Sequence, residues 1–136
     1  MPGNTAPIFS KAARAQWGTI LASNTAKDGT GTVVTVFAAD VTNGSFVQKL
    51  IARPLGTNVA SVLRVFLNNG ATNTTAGNNS LIAEFSLPAT TLSEVAAQSG
   101  YEVPINVAIP AGYKLNVALG TAIAAGVAVT AFGGAY

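Results

Sequence analysis

Five acidic side chains, Asp28, Asp40, Glu84, Glu94 and Glu102, are the whole supply of carboxylates in this sequence, which has neither histidine nor cysteine. General acid-base hydrolysis needs two carboxyl groups, or a histidine beside one, at a single reacting bond. No spacing in the chain pairs any two of the five, so they read as solvated charges on loops and strand edges. The serines have no histidine to activate them, and none stands in a Ser-x-x-Lys arrangement. Disulfides, thiolate chemistry and the commonest metal ligands are excluded with the missing residue types. No catalytic residue, metal ligand or cofactor is therefore expected.

Three short motifs touch on other chemistry. The stretch KDGTGT at residues 27–32 has glycines that could approach a phosphate. It lacks the G-x-x-x-x-G-K-[ST] spacing and a following helix, and reads as a β-turn ahead of a strand. A calcium site built on Asp28 and Asp40 would need more carboxylates than the region holds. Asn-x-Ser/Thr triplets begin at Asn43, Asn73 and Asn78, where asparagine is ordinary turn composition unless the chain is secreted. The N-terminal stretch MPGNTAPIFSKAARAQW contains no apolar run of signal-peptide length, so export by that route is not expected.

The elements that would position any site follow from composition. A chain of 136 residues suits one domain with one core. Hydrophobic residues make up 49% and charged ones only 9%, against roughly 25% charged in an ordinary soluble domain. Thr, Asn, Ser, Gly and Ala must cover the surface, which implies that much of it meets other protein. Seven basic and five acidic residues give a net charge of +2 with no run of one sign. Nucleic-acid binding has no electrostatic footprint in such a pattern. After Lys114 the chain is uncharged for long enough to span a bilayer. Its large and small residues alternate at period two (Leu115, Val117, Leu119), so two strands are expected there and no membrane span.

Apolar stretches separated by Gly, Asn and Pro clusters predict a single-domain, all-β antiparallel sandwich. About eight strands are expected, near 17–22, 32–37, 45–53, 59–68, 80–87, 101–109, 113–120 and 126–132. Tyr101, Val103, Ile105, Val107 and Ile109 would share one face, and Pro104 marks that strand as an edge or a bulged strand. Residues 110–112 read as the turn of a hairpin into Tyr113, and Asn43-Gly44 as a two-residue hairpin turn. Within TTLSEVAAQ, Thr91 and Glu94 could form a capping box, though an irregular loop fits as well. The uncharged NNGATNTTAGNNSL, residues 68–81, reads as a long surface connection whose Asn and Thr side chains could also meet a sugar.

The N-terminal residues allow two readings. They form either a first strand against the sandwich or an arm, residues 1–16, that precedes a sandwich domain at 17–136. In the second reading Ile8, Phe9 and Trp17 are aromatic and apolar anchors, with Lys11 and Arg14 as cations, for docking on a neighbouring molecule.

APIF with Trp17, NTAKDGTGT, ARPLGTNVASVLRVFLNNG, NTTAGNNSLIAEFSLPATTLSE and the closing IPAGYKLNVALGTAIAAGVAVTAFGGAY together resemble a family of small virion proteins of tailed bacteriophages. That family is similar in character to capsid decoration, or cement, proteins. The resemblance implies a jelly-roll-like sandwich and a homotrimer bound to the major capsid protein on the exterior of the phage head, after assembly in the bacterial cytoplasm. It brings no catalytic residues. The alternative is a tail-fibre or receptor-binding tip module that recognises host surface glycan, and an enzyme on the virion is a more distant third.

Overall fold

The computed structural model describes residues 9–136. Eight strands follow one another: β1 (Ala12–Ile20), β2 (Val34–Ala38), β3 (Ser45–Pro54), β4 (Ser61–Asn68), β5 (Asn79–Leu87), β6 (Tyr101–Ile109), β7 (Lys114–Leu119) and β8 (Val127–Ala135). One 3-10 turn, Ala76–Asn78, precedes β5. The strands form two four-stranded sheets in the orders β1-β8-β3-β6 and β2-β7-β4-β5, and every pairing within them is antiparallel. This is the strand order of an eight-stranded jelly roll, the sandwich that the alternation predicts.

Two expectations about connections are corrected by that order. β2 and β3 lie in different sheets, and so do β6 and β7. The segments at Asn43-Gly44 and 110–112 are therefore corners between sheets, and among the described residues only β4 and β5 make a hairpin. Period-two alternation marks a strand and its buried face, but it carries nothing about which sheet receives the next strand. Residues 91–99 make no helix. Instead of capping with Glu94, the segment turns at Ser93, whose Oγ accepts the N–H groups of Val95 and Ala96 at 3.2 and 3.1 Å.

β1 also begins at Ala12, ahead of the Trp17 start that composition predicts, so residues 12–16 belong to the sheet and not to an arm. Alanine and arginine have little intrinsic preference for strands. Pairing supplies what propensity lacks, with Ala12 opposite Ala135 and Gln16 opposite Ala131 on β8.

The core lies between the sheets. Val47 and Leu50 of β3 and Val129 of β8 meet Leu63 and Val65 of β4 and Leu115, Val117 and Leu119 of β7, all fully buried. Each such side chain stabilises the fold by about 1.5–3 kcal/mol relative to an exposed one. β6 is an edge strand, as Pro104 requires. Its register against β3 shifts between Val47 and Lys49, and Asn106, in that interval, takes φ 50. A bulge and a proline on an edge both resist unwanted strand pairing.

The two flanks of the sandwich differ. Along β1 and β2 the sheets are tied together, since Gln16 Nε2 donates to the Ala38 carbonyl at 3.2 Å and the Ala38 N–H donates to Gln16 Oε1 at 2.8 Å. Along β5 and β6 they part, leaving a cleft of about 410 Å³ lined by Ala83, Phe85, Tyr101 and Val103 with Glu84 and Glu102 at its rim.

Candidate functional site

Alternation along β1 sorts the expected contact residues onto two faces. Arg14, Gln16 and Gly18 turn toward β2, whereas Ala15, Trp17 and Thr19 stand on the outer face of the sheet. Trp17 is 70% exposed, an unusual state for a residue whose indole buries a large area when it can. It lies opposite Thr130 of β8, which in turn lies opposite Ile51 of β3, while Ala15 lies opposite Phe132. The outer positions of β1 and β8 thus carry Trp, Phe, Thr and Ala and no charge. Charge enters only on the far half of this face, where Lys49 Nζ and Glu102 Oε1 stand 3.4 Å apart and Arg53 is exposed.

Phe9, 75% exposed, and Lys11, also exposed, precede this strand. The Lys11 N–H donates to the Ala135 carbonyl at 2.7 Å, which fixes where the chain enters β1. Arg14 is committed elsewhere. Its guanidinium donates to the Ala38 carbonyl at 3.2 Å and to Asp40 Oδ2 at 3.3 Å. Ile8 lies outside the described residues. Of the expected set, the structure therefore presents Phe9, Lys11 and Trp17 to solvent and turns Arg14 inward.

Sequence reasoning passed over further exposed apolar side chains, three of them on loops and corners. Val95 is 98% exposed, with Leu92 beside it in the loop between β5 and β6, and Val41 is exposed on the corner after β2. Their signal was an apolar residue among Ser, Thr and Ala in a segment without periodicity, which is also what a poorly formed helix looks like.

The asparagine-rich loop after β4 is docked against residues 24–32, not projecting as a free tip. Asn73 Nδ2 donates to the carbonyls of Gly29 and Gly31 at 3.1 and 2.8 Å. Asn79 Nδ2 reaches the carbonyls of Asp28 at 3.1 Å and Asn73 at 2.9 Å, and Asn79 Oδ1 accepts from Asn68 Nδ2 at 2.8 Å. From the other side, Asn24 Nδ2 donates to Thr30 and Thr32 carbonyls at 2.7 and 2.8 Å. Side-chain amides thereby satisfy loop carbonyls that no sheet reaches. Beneath them lies Arg64, 8% exposed. Its Nε stands 3.5 Å from Glu84 Oε2, an ionic contact without hydrogen-bond geometry, and its Nη1 donates to the Asn24 carbonyl at 3.4 Å.

The carboxylates are dispersed. Asp28 Oδ1 accepts the Thr30 hydroxyl at 2.6 Å and the Thr30 N–H at 3.0 Å, which hold its carboxyl below the usual range. The N–H groups of Asn43 and Thr42, at 2.8 and 3.0 Å, do the same for Asp40, and the Arg14 charge adds to them. Glu84 pairs with Lys27 at 3.7 Å and with Arg64. Among the described residues no group of three or more His, Cys, Asp or Glu could hold a metal ion, and no helix is long and apolar enough to cross a membrane. The uncharged run after Lys114 forms β7 and β8.

Fold and site together define a jelly-roll domain whose outer β1–β8 surface is uncharged and carries an exposed tryptophan on the edge strand β1. No protein-family model matches the chain, and no curated protein does. Among solved structures, a chain from "Structure of infectious bursal disease virus Gx strain" is similar at 14% identity over 97% of this chain and 36% of that chain, with a TM-score of 0.32. This chain spans about a third of that one's length, and at such a TM-score the likeness carries no argument about fold or role.

Proposed function

We propose that this chain is a structural protein of a tailed-phage virion, a decoration protein that binds the exterior of the head shell as a homotrimer and stabilises it. The jelly roll hosts unrelated functions, so the reading rests on the surface and not on the fold. The observation that carries it is Trp17, 70% exposed on the charge-free half of an outer sheet face. Aromatic residues without neighbouring charge are what the centres of protein interfaces are made of.

Magnitudes explain why a trimer suits the role. A partner of standard size hides about 800 Å² on each side. At about 25 cal/mol/Å² for the apolar part of both sides, the gross gain is on the order of 20 kcal/mol. Association takes back about 4–15 kcal/mol, and ordering of interface side chains and desolvation of polar groups take back more, so one subunit alone would hold the major capsid protein only moderately. Three linked subunits bind durably because the second and third contacts form at high effective concentration. In this reading the protein performs no reaction and needs no cofactor.

A glycan-recognising tip has less support, because the amide donors of Asn24, Asn73 and Asn79 are spent on loop carbonyls. Labelling intact particles with an antibody to this chain, followed by imaging, tests the proposal. Signal distributed over the head is expected, and signal confined to the tail would overturn it.

A further inference from the structure

Among the described residues two asparagines are followed by glycine, Asn43 and Asn69. In that dipeptide the following backbone nitrogen reaches the asparagine side chain with least obstruction, because glycine has no Cβ and turns freely. The fold treats the two pairs differently.

Asn69 is held at both ends of its amide. Its Nδ2 donates to Asn78 Oδ1 at 3.1 Å, and its Oδ1 accepts the Ala71 N–H at 3.1 Å. The nitrogen that would attack it, that of Gly70, donates to Asn68 Oδ1 at 2.8 Å. Asn43 is exposed on the corner between β2 and β3, and its side chain makes no hydrogen bond to another described residue. Its backbone alone is fixed, by donation to Asp40 Oδ1. Gly44 is buried, but its N–H makes only a longer bond, 3.2 Å, to the Asp40 carbonyl.

We infer that Asn43 is a site of spontaneous succinimide formation that ages to aspartyl and isoaspartyl products, while hydrogen bonding protects Asn69. The Gly44 nitrogen, losing its proton to solvent base, attacks Asn43 Cγ. A new N–Cγ bond closes a five-membered ring as the Cγ–Nδ2 bond breaks and ammonia departs with a proton from solvent. Water then opens the ring at one carbonyl or the other. The net change is one water consumed, one ammonia released and one carboxyl group gained, with no oxidant or cofactor.

The fold itself keeps this reactive pair in place. Gly44 takes φ +78, and a Cβ there would stand 2.6 Å from the Ile109 carbonyl oxygen. No other residue fits that corner without strain. The isoaspartyl product lengthens the main chain between positions 43 and 44. It thereby displaces the Gly44 carbonyl that accepts the Tyr136 N–H at 3.2 Å, next to the Ala135 carbonyl that holds the start of β1. The inference does not depend on the proposed virion role.

The test compares folded and denatured protein incubated at mildly alkaline pH. Isoaspartyl methyltransferase labelling and peptide mass spectrometry score both sites. In denaturant the two pairs react alike. In the folded protein the ratio of modification at Asn43 to that at Asn69 rises roughly tenfold or more, the penalty for first breaking two ordinary hydrogen bonds. The variant N43Q, checked for native circular dichroism, should lose most of the label. Equal or faster reaction at Asn69 in the folded protein would overturn the inference. So would a folded protein that stays unmodified at Asn43 while the denatured chain reacts.

Discussion

The side-chain amide of Gln16 pairs with the backbone of Ala38 as a neighbouring strand would, accepting its N–H at 2.8 Å and donating to its carbonyl at 3.2 Å. The two residues belong to different sheets, so one side chain closes a flank of the sandwich that backbone pairing cannot close. Replacing it leaves the Ala38 N–H, on the outer edge of β2, without a protein partner. Q16A is expected to cost about 1–3 kcal/mol, read from the midpoint of chemical denaturation at unchanged slope. A midpoint equal to that of the parent would mean that water takes over both bonds.

Asn79 ties two loops to each other. Its Nδ2 reaches carbonyls from residues 28 and 73 while its Oδ1 holds Asn68. N79A should lower stability by about 1–3 kcal/mol and speed amide exchange at Ala26 and Thr30, whose N–H groups are bonded inside the 24–32 loop. Exchange at the core amides of Leu63 and Val117 should change only by the global loss. Uniform acceleration over the whole chain would contradict a local tie.

Asp40 sets the sign of the acid response. Its carboxyl is held below the usual value by the N–H groups of Asn43 and Thr42, and then by Arg14. A carboxylate with a depressed folded-state pKa stabilises the fold above its unfolded value, about 3.9, and that contribution is lost as pH falls through the lower folded value. D40N should therefore melt at a lower temperature than the parent at neutral pH. The two curves should converge as pH drops below about 3.9. A constant difference in melting temperature across that range would show that the charge on Asp40 is not involved.

The strands were legible because their chemistry is local. Apolar residues at period two in β6 and β7, and the apolar run Val62 to Leu67 in β4, mark strands regardless of partners, and Pro104 foretold an edge. Sheet membership was not legible, since the Gly44 and Gly112 corners carry the same turn residues as hairpins. Whether the residues before Trp17 form a first strand or an arm was left open by the sequence for a different reason. Ala12 to Gln16 owe their conformation to β8 and Ala38, contacts remote in sequence that propensity does not see. Of the candidate site, Trp17 and Phe9 stood out by residue type, and both are exposed in the structure. The inward turn of Arg14 and the exposure of Val95 depended on which way alternation and a loop fall in space.

In the proposed role Trp17 is a docking residue and not a structural one. Because its ring is mostly in solvent, W17S should leave unfolding within about 0.5 kcal/mol of the parent. The decisive measurement is binding of the purified W17S protein, beside the parent, to emptied phage heads by co-sedimentation. A central aromatic anchor contributes about 2 kcal/mol or more, so affinity should fall by at least about thirtyfold. Undiminished binding of a natively folded W17S protein would contradict the account.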